Sequence, residues 1–177
     1  MPRLSAGILL FRKGKPGTEV LLVHPGGPFW EKKDLGAWSL PKGEYDRSED
    51  PLSAAVREFE EETSFRLPPG DLIPLGELRQ PSGKIIAAWA LKGDLDATLV
   101  KSNVFEMEWP RKSGAMREYP EVDRAEWFTL VGARQKLLKG QVGFLIRLAE
   151  ALSLPPDLLD QPENDPSATD QGQSSLF

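Results

Sequence analysis

The stretch that decides the fold is GEYDRSEDPLSAAVREFEEETSF, residues 43–65. Asp50 followed by Pro51 is a helix cap and first-turn pair, and Leu52, Ala55, Val56 and Phe59 recur at helical spacing. A helix is therefore expected from about 51 to 64. At about 100° per residue, with Glu58 at zero, Glu62 falls at about +40° and Glu61 at about −60°. The four apolar positions fall between about +60° and +160°. Three acids thus share one stripe beside a buried face, while Glu60, at about 200°, points away and is read as solvated.

The flanking segments place this helix in a sheet protein. Residues 5–11 (SAGILLF) and 19–24 (EVLLVH) are short branched apolar runs separated by KGKPG, which reads as a hairpin. From Pro25 to Glu49 the chain is dense in Gly, Pro, Trp and charge, so ordered loops are expected there, around one brief strand near Ala37 to Leu40. Leu72 to Leu78, Ile85 to Leu91, Asn103 to Trp109 and Arg124 to Leu130 are further strand candidates, the first two joined by QPSGK in hairpin style. These imply a mixed or mainly antiparallel sheet in an α/β (α+β) fold. Residues 131–152 alternate apolar and basic positions helically, with Gly140 dividing them into two short helices or one kinked helix. After Leu154 no apolar periodicity remains and Pro, Asp, Gln and Ser dominate. The organisation expected is one folded domain over residues 1–152 and a flexible acidic tail over 153–177.

Composition limits what such a domain can do. The chain has 177 residues, 40% apolar and 28% charged, which is enough for a substantial core. No apolar run reaches the ~18 residues of a membrane span, and the first residues are too short in apolar core for a secretory signal, so a cytoplasmic protein without membrane contact is expected. Cysteine is absent and His24 is the single histidine, which excludes disulfides, thiolate zinc sites and multi-histidine centres. Of the 27 acidic residues, Asp157, Asp160, Glu163, Asp165 and Asp170 follow residue 152, leaving 22 acids against 22 Lys and Arg before it. A neutral body offers no broad basic field, which disfavours nucleic acid as a partner but not a small phosphorylated ligand held locally.

Like charges three and four residues apart cost a few tenths of a kcal/mol per pair on an isolated helix, so something cationic should face Glu58, Glu61 and Glu62. Taken alone, EFEEE would be read as a solvated face neutralised by Arg57 and Arg66. Three carboxylates without His or Cys select a hard cation such as Mg²⁺ or Mn²⁺, and Mg²⁺ completes its shell with water and substrate phosphates. The wider spacing decides between these readings. Gly43, five residues, Glu49, seven residues, then Arg57-Glu58-Phe59-Glu60-Glu61-Glu62-Thr63-Ser64-Phe65 resembles the Nudix box, G-x5-E-x7-R-E-U-x-E-E-x-G-U with U apolar. Only Ser64 departs, standing where the family has Gly. Chance assembly of these fixed positions is on the order of one in a hundred thousand per chain, so the solvated-face reading gives way.

The resemblance implies a Nudix-type α/β/α sandwich with a mixed central sheet, and hydrolysis of a nucleoside diphosphate linked to another group with Mg²⁺ or Mn²⁺. Carried over, Glu58 and Glu62 would be the main metal ligands, Glu61 a third ligand or orienting base, and the Gly43 carbonyl a further ligand. Glu49 and Arg57 would brace loop and helix through an ion pair. The family leaves one base or ligand to a later segment, and three candidates stand there. Glu121 lies six residues before Trp127, resembling the Glu ahead of W-x-x-L in diadenosine tetraphosphate hydrolases of the family, and leads; Glu106 and Glu108 are reserves on one strand face.

WSLPKG, residues 38–43, resembles the W-x-x-P-K-G of the diadenosine polyphosphate and diphosphoinositol polyphosphate branch. A dinucleoside polyphosphate is therefore the leading substrate class. The rivals are a nucleoside triphosphate pyrophosphatase, a diphosphoinositol polyphosphate hydrolase, an RNA 5′ pyrophosphohydrolase and a non-catalytic nucleotide-binding module. Lys42, Arg79 and Lys84 are candidates for the phosphates, with Arg111, Lys112 and Arg117 as a possible rim. Among Trp30, Trp89, Trp109 and Tyr119 at most one is expected to stack a base. His24 is read as structural, and Ser64→Gly as neutral or stabilising.

Overall fold

The computed structural model describes residues 1–160. Eight strands and three α-helices are assigned there: β1 Leu4–Gly14, β2 Gly17–Pro25, β3 Lys42–Tyr45, α1 Pro51–Thr63, β4 Ile73–Arg79, β5 Ile85–Lys92, β6 Val104–Glu108, β7 Met116–Pro120, β8 Val122–Thr129, α2 Leu130–Lys136 and α3 Val142–Ala151. Six strands form one sheet in the order β4-β5-β1-β2-β8, with β3 lying against the first part of β1. β1 and β5 run parallel and every other pairing is antiparallel, so the sheet is mixed, as expected.

Central β1 explains the run SAGILLF. Its alternate side chains enter two different cores, so both must be apolar. Ala6, Ile8 and Leu10 meet Ala54, Ala55 and Phe59 of α1 on one face. Leu9 and Phe11 meet Phe144, Leu145 and Leu148 of α3 on the other. The result is a three-layer sandwich. Among the described residues no helix is long and apolar enough to cross a membrane.

Helix α1 starts where the Asp50 side chain accepts the Ser53 N–H, and it ends at Ser64, which adopts φ 64°. That left-handed backbone explains the family preference for Gly, since it costs an L-residue about 1–2 kcal/mol. Here the Ser64 hydroxyl donates to the Lys101 carbonyl, a bond that Gly would forfeit. The two effects oppose, so Ser64→Gly is expected to change stability by less than about 1 kcal/mol in urea unfolding.

Three expectations are corrected. No strand forms over 37–40, where Trp38 and Ser39 make only isolated bridges; the strand is β3, starting after Pro41, which has no N–H to donate to the ladder. Strand β7 was not expected, because MREYP is largely exposed and carries no alternating apolar pattern. Packing also runs past residue 152. Leu152, Leu154 and Leu158 lie against the core, Leu159 is 8% exposed, and Arg134 pairs with Asp160 at 2.9 Å. Without periodicity, leucines in a coil still bury area when a helix pair leaves a groove. The rest of the expected tail, 161–177, lies outside the described residues. Ending the chain at residue 153 is accordingly expected to lower its urea midpoint, and Leu159→Ala alone to cost about 2 kcal/mol.

Candidate active site

The carboxylates of α1 face β3 across a very short gap. A Cβ built on Gly43 would lie 1.9 Å from Glu58 Oε2, so any side chain here would push the Glu58 carboxylate away from β3. The neighbouring Lys42 N–H donates to Glu62 Oε2 at 3.0 Å. Arg57 pairs with Glu49, donates to Glu58 at 3.1 Å, and lies 3.8 Å from Glu61. The expected Glu49–Arg57 brace is thus present, and the same guanidinium also holds two of the acids. Glu60 is exposed.

Burial lifts the Glu62 carboxyl to about 8, opposed by the Lys42 charge and N–H and reinforced by repulsion from Glu58 and Glu121. Glu58 is raised by burial, with Arg57 pulling it back and Glu61 and Glu121 adding to the rise. Glu121 is raised by burial and by Glu61. Carboxyls from two distant segments therefore feel one another, and a cation between them would relieve all three.

Glu121 sits in the step between β7 and β8. Its carbonyl accepts the Gly26 N–H at 3.0 Å and its own N–H donates to the Asn103 carbonyl at 2.9 Å. Glu106 and Glu108 stand on β6, opposite Glu118 and Met116, and are exposed, as Glu121 is. They join neither Glu58 nor Glu62.

The donor set suits a hard divalent cation: carboxylate oxygens, with the Gly43 backbone pressed against Glu58. As the side chains stand, no three acidic or imidazole groups among the described residues are gathered to metal-binding distance. Glu58 is turned toward Arg57 and Glu62 toward the Lys42 N–H, and both would exchange these partners for the ion.

Two of the three expected phosphate-binding cations are brought together. Lys42 is half-buried, and its pKa is lowered by desolvation and by Lys84, with Glu62, Glu44 and Glu58 raising it. Lys84 lies 3.6 Å from Glu44, which also pairs with Arg3 at 3.2 Å. Arg79 is exposed opposite Ile85, one residue out of phase with Lys84 and so on the other face of the sheet. Glu44 was missed in the sequence because residues 41–49 read as loop, the alternation Lys42, Gly43, Glu44 being the available signal, and Arg3 because it precedes the first apolar run.

His24 is fully buried, with Nδ1 2.9 Å from Asp123 Oδ1 and Nε2 2.6 Å from the Lys33 carbonyl. It ties the loop after β2 to β8, close to Glu121 and outside the carboxylate cluster. Of the aromatic candidates, Trp30 and Trp89 pack against the two cores.

The NUDIX domain profile matches residues 1–148. The chain is 38% identical over 68 residues to an RNA pyrophosphohydrolase of Rhodospirillum rubrum, covering 37% of this chain and 39% of that protein. It is 30% identical over 136 residues to an octanoyltransferase of Myxococcus xanthus, covering 77% of this chain and 33% of that one. The chain thus spans between 33% and 39% of the length of these curated relatives. Among solved structures, a C. elegans Ap4A hydrolase binary complex superposes with a TM-score of 0.60 at 22% identity, over 84% of this chain and 98% of that one. This likeness concerns the fold. With the profile spanning nearly all the described residues and the box acids carried on α1, the chain belongs to the NUDIX domain family.

Proposed function

We propose that the protein is a cytoplasmic Nudix pyrophosphohydrolase that uses Mg²⁺ or Mn²⁺ to cleave a phosphoanhydride bond of a dinucleoside polyphosphate. The observation that carries this reading is that, among three carboxyls, Glu121 raises the pKa of Glu58 and both raise that of Glu62, beside the half-buried Lys42 ammonium. Acids and a cation in one cleft match a ligand that bears both a divalent ion and phosphate.

When bound, the ion neutralises phosphate charge and lowers the pKa of an attacking water. Glu58 and Glu62 would hold it, with the Gly43 carbonyl as a further oxygen. Glu61 or Glu121 would accept the water proton, both lying outside the Glu62–Lys42 contact. Lys42 and Lys84 would hold phosphate oxygens as point charges, Glu44 keeping Lys84 in place. Arg57 would keep Glu58 and Glu61 aimed inward while its bond to Glu49 ties α1 to the preceding loop.

The similar fold of an Ap4A hydrolase and the W-x-x-P-K-G run support the dinucleotide class. The match to an RNA pyrophosphohydrolase keeps an RNA 5′ end as the second reading, against which stands the neutral charge of residues 1–152. The test is product release from dinucleoside polyphosphates, nucleoside triphosphates, inositol pyrophosphates and 5′-triphosphorylated RNA with each metal. Fastest turnover of a dinucleoside polyphosphate is expected. Tight binding without turnover of any substrate would replace the hydrolase with a nucleotide-binding module.

A further inference from the structure

Strands β6 and β7 form a separate two-stranded hairpin that leads away from Glu121. Their register sets Phe105 opposite Tyr119 and Met107 opposite Arg117, on the face reached by alternate residues through Trp109. The loop after β2 runs along this face: a Cβ on Gly27 would lie 3.1 Å from Phe105 Cζ. Further out, the Phe29 and Trp109 rings meet at 5.4 Å and 70°, and the Arg111 guanidinium lies 4.7 Å from the Phe29 ring centre. None of Phe29, Phe105, Trp109 and Tyr119 belongs to either core, and Phe29 is 42% exposed.

The charges here point to a ligand. Among the described residues Arg111, Lys112 and Arg117 make no salt bridge, although Glu106, Glu108 and Glu118 sit on the same hairpin. Flat apolar rings beside unpaired cations match a partner that is planar and anionic at once, which is a nucleotide. Glu121 directly follows β7, and the four steps from Pro120 back to Met116 cover about 13 Å of strand. A polyphosphate held at the carboxylates would have to cross such a span to bring its far nucleoside here.

We propose that Phe29, Trp109 and Arg111 form a second nucleobase subsite, which receives the far nucleoside of a dinucleoside polyphosphate. The proposal rests on the polyphosphate reading of the carboxylate cluster and adds the residues that would select for a second base. Trp109 supplies the stacking surface, Phe29 fixes it edge to face, and Arg111 offers both a cation and a second flat group.

The experiment compares equilibrium binding of methylene-bridged diadenosine tetraphosphate and of inorganic tetrapolyphosphate, both with Mg²⁺, to the full chain and its variants. Trp109→Ala is expected to raise the Kd of the dinucleotide about 5- to 150-fold and to leave that of tetrapolyphosphate unchanged. Trp109→Phe should recover most of the loss, and Arg111→Ala should weaken the dinucleotide alone. Equal losses for both ligands, no loss for either, or a wild-type protein that binds the two equally well would overturn the subsite. Hydrolysis of diadenosine tetraphosphate by the wild type, measured in parallel, tests the enzymatic reading separately. Base-dependent binding without turnover would remove the hydrolase and keep the subsite.

Discussion

Glu62→Gln is expected to lower kcat about 10²- to 10⁴-fold and, at neutral pH without divalent cation, to raise the melting temperature. Both effects come from one half-buried, desolvated carboxyl. In the folded chain it titrates near 8, against an ordinary 4.5, so the fold holds its proton where the unfolded chain has released it. The stability this contributes is complete below about 4.5 and is lost as pH rises toward about 8. Glutamine never ionises, and it can still accept the Lys42 N–H that now reaches Glu62 Oε2 at 3.0 Å.

The cation-free wild type should therefore lose stability across that window, and the variant should lose less. Some slope stays in the variant, because Glu58 and Glu121 are raised as well, and the lowered Lys42 ammonium works in the opposite sense. Adding Mg²⁺ or Mn²⁺ should stabilise the wild type strongly and the variant weakly. Thermal melts at several pH values, with and without metal, together with turnover, check the whole chain of cause. Normal turnover in Glu62→Gln, or identical pH slopes in the two proteins, would remove Glu62 from the metal site.

Gly43→Ala is expected to reduce kcat by about 10²-fold and to raise the Mg²⁺ concentration needed for half-maximal rate. The added methyl carbon would lie 1.9 Å from Glu58 Oε2 and 2.0 Å from its Cδ, so the carboxylate must leave its place beside β3. Gly43 has no positive φ, and its backbone would accept alanine; the damage is confined to where Glu58 points. Arg57, already on Glu58 at 3.1 Å, can follow it outward, which keeps the stability cost modest. Gly83→Ala is the contrasting control: φ is 90° with nothing within 4 Å of the new carbon, so it should lose stability and keep its rate. Metal titrations of activity and urea unfolding on both variants separate the two outcomes. A Gly43→Ala protein with wild-type rate and metal dependence would mean that Glu58 acts from some other position.

Helix α1 was legible within one residue because every local signal agreed: the Asp50 cap, Pro51 in the first turn, and apolar residues at helical spacing. β1 was legible for a similar reason, its two-sided burial forcing an unbroken apolar run. Short β3 and exposed β7 were not. A four-residue strand carries too little periodicity to register, and a strand outside both cores needs no apolar face. The packing of Leu154, Leu158 and Leu159 escaped for the same reason, since a loop and one 3₁₀ turn that fill a groove leave no repeat in the chain.

The helix, its acidic stripe and the family whose spacing it shares could all be read from the chain alone, because each depends on residues close together in sequence. That the Glu121 charge acts on Glu58 and Glu62, and that Arg79 parts from Lys84, follows from how the strands lie beside one another. The ladder β2–β8 and the Gly26–Glu121 hydrogen bond hold Glu121 where Glu58 and Glu62 feel its charge, whereas Glu106 and Glu108 stand on β6. Strand register assigns faces with a period of two, and whether two charges 60 residues apart repel or ignore one another depends on that register, which no local stretch of sequence contains.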